Sequence, residues 1–103
     1  MPNGMGHAKD FFDKKLNSGA LNEKRGLIQY TNGSNVKPAI NDILVFDGKY
    51  GHVCIISEVN ENDIEAVQQN ILGKPREHHQ LLHKNDSFTI VSSKKPLGWL
   101  HKP

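Results

Sequence analysis

His52 is the residue of this chain whose type and setting could do chemistry most directly. It follows Gly51 and opens the apolar run Val53-Cys54-Ile55-Ile56. A ring at the first residue of a buried strand is held rigidly, and imidazole titrates near neutral pH, so His52 could act as a general base. The alternative is a histidine that only packs at a strand end, because perturbed groups gather at functional sites without being confined to them.

Two amide side chains on the next predicted strand could orient this imidazole. Residues two apart on a strand share a face, so Gln68 and Asn70 point the same way. A four-residue turn before that strand would bring its end beside the start of the His52 strand. An amide oxygen there could accept the ring N–H, as the third member of a Cys-His-Asn arrangement does. We therefore expect Gln68 and Asn70 to converge with His52 on one cleft.

The sequence offers no obvious nucleophile to accompany these residues. Cys54 is its single cysteine and has apolar neighbours on both sides, so it should pack as a small hydrophobe and be inert. A reactive thiol would be expected at the start of a helix, where the helix dipole lowers the thiol pKa. The predicted first helix instead begins Gly6-His7-Ala8-Lys9.

A second group of polar residues could suggest a metal site. It consists of Glu77, His78, His79 and His83. Neighbouring residues on a strand face opposite sides, and no i, i+4 pair of ligands is firmly placed on a helix here. We therefore interpret this segment as solvated loop, and predict neither a metal site nor a cofactor.

The elements that would position these residues are predicted as helices followed by strands. Ala8 to Leu16 has apolar residues at helical spacing, and Ala20 to Tyr30 could hold a second short helix with Asn22 as its cap. Thr31 to Lys37 is polar and predicts a loop.

The second part of the chain predicts strands separated by polar turns, with Asn60 to Asp63 as the turn that ends the second strand. The predicted strands are Ile43 to Phe46, His52 to Val59, Ile64 to Asn70, Phe88 to Ser92 and Leu97 to His101. The first three would form an antiparallel meander. The predicted fold class is therefore α+β, with N-terminal helices packed on a small antiparallel sheet.

Several short segments together resemble the CHAP domain, the cysteine- and histidine-dependent amidohydrolases and peptidases of the papain-like superfamily. They are Asp42-Ile43-Leu44-Val45-Phe46, Gly51-His52-Val53-Cys54-Ile55-Ile56, Ala66-Val67-Gln68-Gln69-Asn70 and Leu97-Gly98-Trp99-Leu100-His101. The resemblance spans the whole chain, 1–103, as a single domain. It implies a papain-like fold that cleaves amide bonds of bacterial peptidoglycan without a cofactor.

The resemblance also implies site residues. His52 would be the base and Gln68 and Asn70 its partners, although the family commonly has glutamate where Gln68 stands. The family's cysteine opens the first helix, three positions before an aromatic residue. With Phe11 as that aromatic, Ala8 stands in the nucleophile position.

Three explanations for Ala8 are open: an engineered Cys→Ala change, a natural pseudoenzyme, or a shifted alignment. We favour the inactivating change and predict that the chain as written does not hydrolyse its substrate. His7, beside Ala8, and Gly51, beside His52, would line the substrate cleft.

The composition limits the partners. The chain has 103 residues and a net charge of +2, which permits attraction to anionic polymers without requiring it. No apolar run approaches the length of a membrane span, and no secretory signal is visible, so localisation is open although action at the bacterial cell wall is expected. The expected partners are peptidoglycan or its stem peptides, with an inhibitor or immunity protein if the chain is a toxin.

Two other functions compete with a peptidoglycan amidase or endopeptidase. One is a naturally inactive, peptidoglycan-binding CHAP relative. The other is a small β-barrel nucleic-acid-binding module, since Asp42 to Gly48, followed by Gly51 and a β run, also looks like a short KOW-type segment. The low net charge and scattered aromatic residues disfavour that module, so no nucleic-acid partner is predicted.

Overall fold

The computed structural model describes residues 12–47, 52–68, 76–92 and 95–103, and describes only the backbone of His52 and Gln68. These residues form eight strands. In chain order the strands are β1 (Ala20–Asn22), β2 (Leu27–Thr31), β3 (Ile43–Phe46), β4 (His52–Val59), β5 (Asp63–Gln68), β6 (Glu77–Lys84), β7 (Ser87–Val91) and β8 (Pro96–His101).

The eight strands form one antiparallel sheet in the order β1-β2-β8-β3-β4-β5-β6-β7. The predicted meander of β3, β4 and β5 is confirmed, with Asn60 donating to the Asp63 carbonyl at the turn between β4 and β5. The last strand, β8, is inserted between β2 and β3. The C-terminal segment therefore joins the first hairpin to the meander.

The predicted α+β class is wrong, because the described residues contain eight strands and no helix. The first predicted helix lies partly outside the described residues, but its end, residues 12–16, forms bends and turns. The second, Ala20 to Tyr30, is instead the β1–β2 hairpin. The described part of the chain therefore consists of the sheet and its connecting segments, without the predicted layer of helices.

A buried glutamine explains why residues 12–16 are not helical. The Gln29 side chain accepts the Asp13 backbone N–H at 2.9 Å and donates to the Asp13 carbonyl at 2.6 Å. The Asp13 carboxylate also accepts the Lys15 N–H at 2.9 Å. Side chains thus take backbone groups that a helix would pair with one another.

The β1–β2 hairpin forms because the segment that ends at Gly26 favours a turn and the residues that follow it favour a strand. Gly26 adopts a positive φ of 67° and donates to the Asn22 carbonyl at 2.8 Å. The following run Leu27-Ile28-Gln29-Tyr30-Thr31 is rich in β-branched and aromatic residues. Pairing with β8 then satisfies the second edge of β2, which the sequence pattern alone does not reveal.

The segment after β2 connects the two sides of the sheet. The Asn32 side chain donates to the Ile90 carbonyl at 3.0 Å and accepts the Ile90 N–H at 2.7 Å. Gly33 donates to the Phe88 carbonyl, and Phe88 donates to the Ser34 carbonyl, each at 2.7 Å. The sheet therefore curls until the end of β2 meets β7, and it encloses its main core.

The two faces of the sheet carry separate apolar clusters. The inner cluster contains Leu44, Phe46, Cys54, Ile56, Ile64, Ala66, Leu81, Ile90 and Trp99. The outer cluster contains Phe12, Val45 and Leu100, with Leu27, Ile43 and Leu97 packed against it. This division follows the alternation of side chains along each strand. None of the described residues belongs to a helix long and apolar enough to cross a membrane.

Candidate active site

Position 52 lies at the start of β4, as the sequence predicts. Its backbone pairs with Phe46 at the end of β3, and Val53 and Cys54 pair with Val45 and Leu44 in the same ladder. Phe46 and Cys54 are fully buried in the inner cluster. Directly paired residues, and residues two apart on one strand, share a sheet face. The register therefore gives position 52 the face that carries the inner core.

Position 68 lies on the neighbouring strand, one step along the same face. Gln68 at the end of β5 pairs with Cys54, and Ala66 pairs with Ile56. The end of β5 thus lies beside the start of β4, which confirms the backbone arrangement predicted for this hairpin. Positions 52 and 68 are diagonal to each other across the β4–β5 pair, because Gln68 pairs with Cys54. Cα atoms in such diagonal positions are typically about 7–8 Å apart.

The other predicted site residues are His7, Ala8, Gly51 and Asn70, and all four lie outside the described residues. The side chains of His52 and Gln68 are also outside the description. Convergence of the predicted nucleophile position, base and amides therefore stays a prediction.

Cys54 is placed as its neighbours indicate. It is fully buried between β3 and β5, in the inner cluster that also contains Leu44, Ile56 and Trp99. Burial in apolar surroundings disfavours the thiolate, which is the nucleophilic form of cysteine. The position suits a packing role for Cys54 rather than attack on an external substrate.

A histidine–carboxylate pair lies on the inner side of β6, where the sequence predicted loop. His79 Nε2 is 3.0 Å from Glu77 Oε1, and the two side chains are only 9% and 15% exposed. An ionised carboxylate only accepts, so this hydrogen bond requires the His79 tautomer that has its proton on Nε2. The His79 ring lies 5.4 Å from the Phe46 ring, between centroids. Phe46 is the β3 residue paired with His52, so the pair lies near the candidate site.

The outer side of β5 and β6 carries a second ionic group. Glu65 is 11% exposed, accepts the Ser57 hydroxyl at 2.9 Å and lies 3.2 Å from the Arg76 guanidinium. His78 lies between Glu65 and Asp63, at 3.4 and 3.3 Å from their carboxylates. The hydrogen bond from the Asn60 side chain, followed by that from His78, lowers the pKa of Asp63 below its ordinary value. These groups contact one another on the face opposite the inner core.

A third histidine–carboxylate pair connects the beginning of β3 to the end of β8. His101 Nδ1 lies 2.6 Å from Asp42 Oδ1, while Asp42 Oδ2 accepts the Ala39 N–H at 2.8 Å. Burial raises the pKa of Asp42, against the lowering effects of the Ala39 hydrogen bond and of His101. Asp42 and position 52 lie at opposite ends of the β3–β4 pairing, so this pair is separate from the candidate site.

The predicted absence of a metal site is not contradicted by the part of the chain that the structure describes, where no three histidine, cysteine or acidic residues are grouped to hold an ion. His83 of the notional cluster instead stacks on Phe88, with ring centroids 4.2 Å apart. The sequence does not reveal the Glu77–His79 pair, because the polar residues around it predict a loop. The i, i+2 spacing of the pair, continued to the buried Leu81, is the signal that would have shown a strand face.

Comparison with known protein families identifies the family of this chain. The model of the CHAP domain matches residues 2–70, about two thirds of the chain. The chain belongs to the CHAP domain family. No curated protein matches it.

Membership relates the chain to a family of amidase and peptidase hydrolases. The matched stretch of the CHAP domain ends at position 70 and so contains every predicted catalytic position, Ala8, His52, Gln68 and Asn70. Strands β6, β7 and β8 follow it, and β8 lies between two strands of the matched part. The residues beyond the match therefore complete the sheet on which the candidate site would be built.

Proposed function

We propose that this CHAP domain is built to cleave amide bonds of bacterial peptidoglycan, as an amidase or endopeptidase, and that Ala8 occupies the place of its nucleophilic thiol. The observation that carries this proposal is the family match over residues 2–70, within which a Gly-His pair occurs at the start of strand β4. His52 then has the role of base, and Gln68 and Asn70 those of its orienting partners.

The chemistry requires a thiolate at position 8. It would attack the amide carbonyl after His52 takes the thiol proton, and the same imidazole would pass that proton to the leaving amine. Water would then hydrolyse the thioester, with its proton returning through His52 to the sulfur. An amide oxygen of Gln68 or Asn70 can accept the ring N–H and fix the tautomer, but it adds no charge.

Alanine at position 8 removes the covalent route. A methyl group cannot attack a carbonyl, and loss of a catalytic nucleophile leaves only about 10³–10⁴-fold acceleration over water from binding and oxyanion stabilisation. The chain as it stands is therefore proposed to bind peptidoglycan or its stem peptides without clearing walls. An inhibitor or immunity protein is a further proposed partner if the active form is a toxin.

The test is loss of turbidity of purified cell walls by four proteins. They are the chain itself, Ala8→Cys, Ala8→Cys with His52→Ala, and Ala8→Cys with His78→Ala. His78 is an exposed histidine of the opposite face and serves as the matched control. Only Ala8→Cys and the His78 variant should clear walls.

A second candidate function rests on Ala8 itself. If the alanine is natural, the domain is a peptidoglycan-binding relative that has lost catalysis. Sedimentation of the unchanged chain with cell walls, together with failure of Ala8→Cys on a broad panel of walls, would favour this binding role. Clearing by the unchanged chain would contradict both candidates.

A further inference from the structure

We propose that Glu77, held in place by His79, supplies the negative charge that supports the imidazolium form of His52. This inference rests on the function proposed above and deepens it. The predicted orienting residue Gln68 is neutral, whereas a base that takes a proton during amide cleavage gains from a nearby carboxylate. Glu77 and His79 would act through His52, so they are positioning residues.

The first observation behind this proposal is the place of Glu77 in the sheet. Glu77 pairs with Ala66, and Ala66 precedes Gln68 by two residues on the same face of β5. Glu77 is therefore diagonal to position 68 across the β5–β6 pair, at a separation that long side chains can bridge. A carboxylate thus stands on the strand next to the one that carries the neutral amide.

The second observation is the contact that connects this pair to position 52. The His79 ring packs on Phe46, and Phe46 is the residue of β3 directly paired with His52. Directly paired residues on one face have Cβ atoms about 4.5–5.5 Å apart. The curled sheet therefore brings β6 over the end of β3, where the base is predicted.

The third observation is the low exposure of the pair. Glu77 is 15% and His79 9% exposed, and their hydrogen bond is 3.0 Å long. A charge acts over a longer distance where little water screens it, so a shielded carboxylate can influence a base it does not touch. The hydrogen bond from His79 also fixes the orientation of the Glu77 carboxylate, whereas the carboxylate of a mobile surface glutamate has no fixed orientation.

The other titratable groups on the inner face are few in the described part of β2 to β8. They are Tyr30, Asp42, Cys54, His83 and His101, in addition to the Glu77–His79 pair. Asp42 and His101 lie at the far end of β3 and are engaged with each other at 2.6 Å. Asp47, which follows β3, lies 3.7 Å from Lys14. Glu77 is therefore the acidic group of this described set that is best placed to act on His52.

The first experiment reads the charge directly in the unchanged chain. The His52 ring is titrated by NMR, its signals being assigned by their loss in His52→Ala. Glu77→Gln should lower the measured pKa of His52 by about one unit, because removing a nearby negative charge disfavours the imidazolium. Glu65→Gln is the matched control, since Glu65 is an 11% exposed glutamate beside a histidine on the opposite face.

The second experiment reads hydrolysis in the Ala8→Cys background. Glu77→Gln should lower kcat about tenfold with little change in KM, and move the acidic limb of the pH profile to lower pH. Glu77→Asp should restore both, whereas a merely structural role would change neither limb. His79→Gln, which removes the hydrogen bond to Glu77, should move the pKa of His52 in the same direction.

An unchanged pKa of His52 in folded Glu77→Gln overturns the proposal. If Glu77→Gln does not fold, an unchanged pKa of His52 in folded His79→Gln overturns it. Failure of Ala8→Cys to hydrolyse walls would count against the proposed function alone. The titration in the unchanged chain would still decide whether Glu77 and His52 are coupled.

Discussion

Replacing His101 by alanine should destabilise the fold, and the loss should grow from acidic to neutral pH. The Asp42 carboxylate is only 3% exposed and depends on two hydrogen bonds, from Ala39 and from His101. A hydrogen bond to a charged group contributes about 1.5–3 kcal/mol. Because His101 is 42% exposed, water can partly replace it in the variant. We therefore expect a loss of about 2 kcal/mol in the free energy of unfolding near neutral pH, below the range for a fully buried pair.

The direction of the pH dependence follows from the pKa of Asp42. Burial raises this pKa above 3.8, so the folded state keeps the proton to higher pH than the unfolded chain. Stability therefore falls as pH rises from 3.8 through the folded pKa of Asp42. His101 lowers this pKa, so its removal raises it further and extends the fall to higher pH. The difference between the two proteins should consequently be small in acid, where Asp42 is protonated in both.

Urea unfolding followed by the fluorescence of Trp99 would measure this effect. Trp99 is the only tryptophan and is fully buried, so its emission reports global unfolding. Titrations at about pH 4.5, 5.5 and 7 give the free energy by linear extrapolation. The control repeats His101→Ala in an Asp42→Asn background. The buried charge is absent there, so the loss of stability on removing His101 should not depend on pH. A loss below about 0.5 kcal/mol at pH 7, or one independent of pH, would refute the reasoning.

Three further changes test other parts of the fold. Gly98→Ala should destabilise the fold by about 3 kcal/mol or prevent folding, because the added Cβ would overlap the Tyr30 carbonyl oxygen and lie 2.7 Å from the Phe12 ring. Thermal unfolding would measure this loss, and an unchanged Tm would contradict the close approach. Asn32→Ala should cost about 1–3 kcal/mol in urea unfolding, because it leaves the Ile90 N–H and carbonyl without their side-chain partner, and Asn32→Asp should recover only the bond to the N–H. Cys54 should react with a thiol reagent only at the rate of unfolding, so fast labelling of the native chain would contradict its burial.

The parts of the fold that the sequence predicts correctly are strands with apolar residues on at least one face. β3 and β4 have the predicted bounds, Ile43 to Phe46 and His52 to Val59. Their continuous runs of mostly β-branched and aromatic apolar residues favour strands locally, and the sheet keeps that preference. The start of β4, on which the whole site prediction depends, could therefore be found without a structure.

The parts that the sequence misses owe their conformation to distant partners. β2 is completed by β8, and residues 12–16 are held by the side chain of Gln29. The sequence predicts loop around Glu77 to His79, the first part of β6, and leaves Gln80 to His83 ambiguous, because the inward positions of β6 include the polar Glu77 and His79 and show no apolar period. Local patterns cannot report hydrogen bonds between residues far apart in the chain, and those bonds decide these three segments.

The position of β6 also changes how the candidate site should be understood. A site defined only by the matched family segment would contain a histidine and two amides, with no acidic residue among the predicted partners. The sheet adds a strand from beyond that segment, and with it a carboxylate one strand away from Gln68. If Glu77 supports His52, the amide at position 68 need not weaken the base, because the charge is supplied from the neighbouring strand. The acidic residue would then come from a strand beyond the matched segment, and Ala8→Cys would be the change that the proposed function needs for hydrolysis.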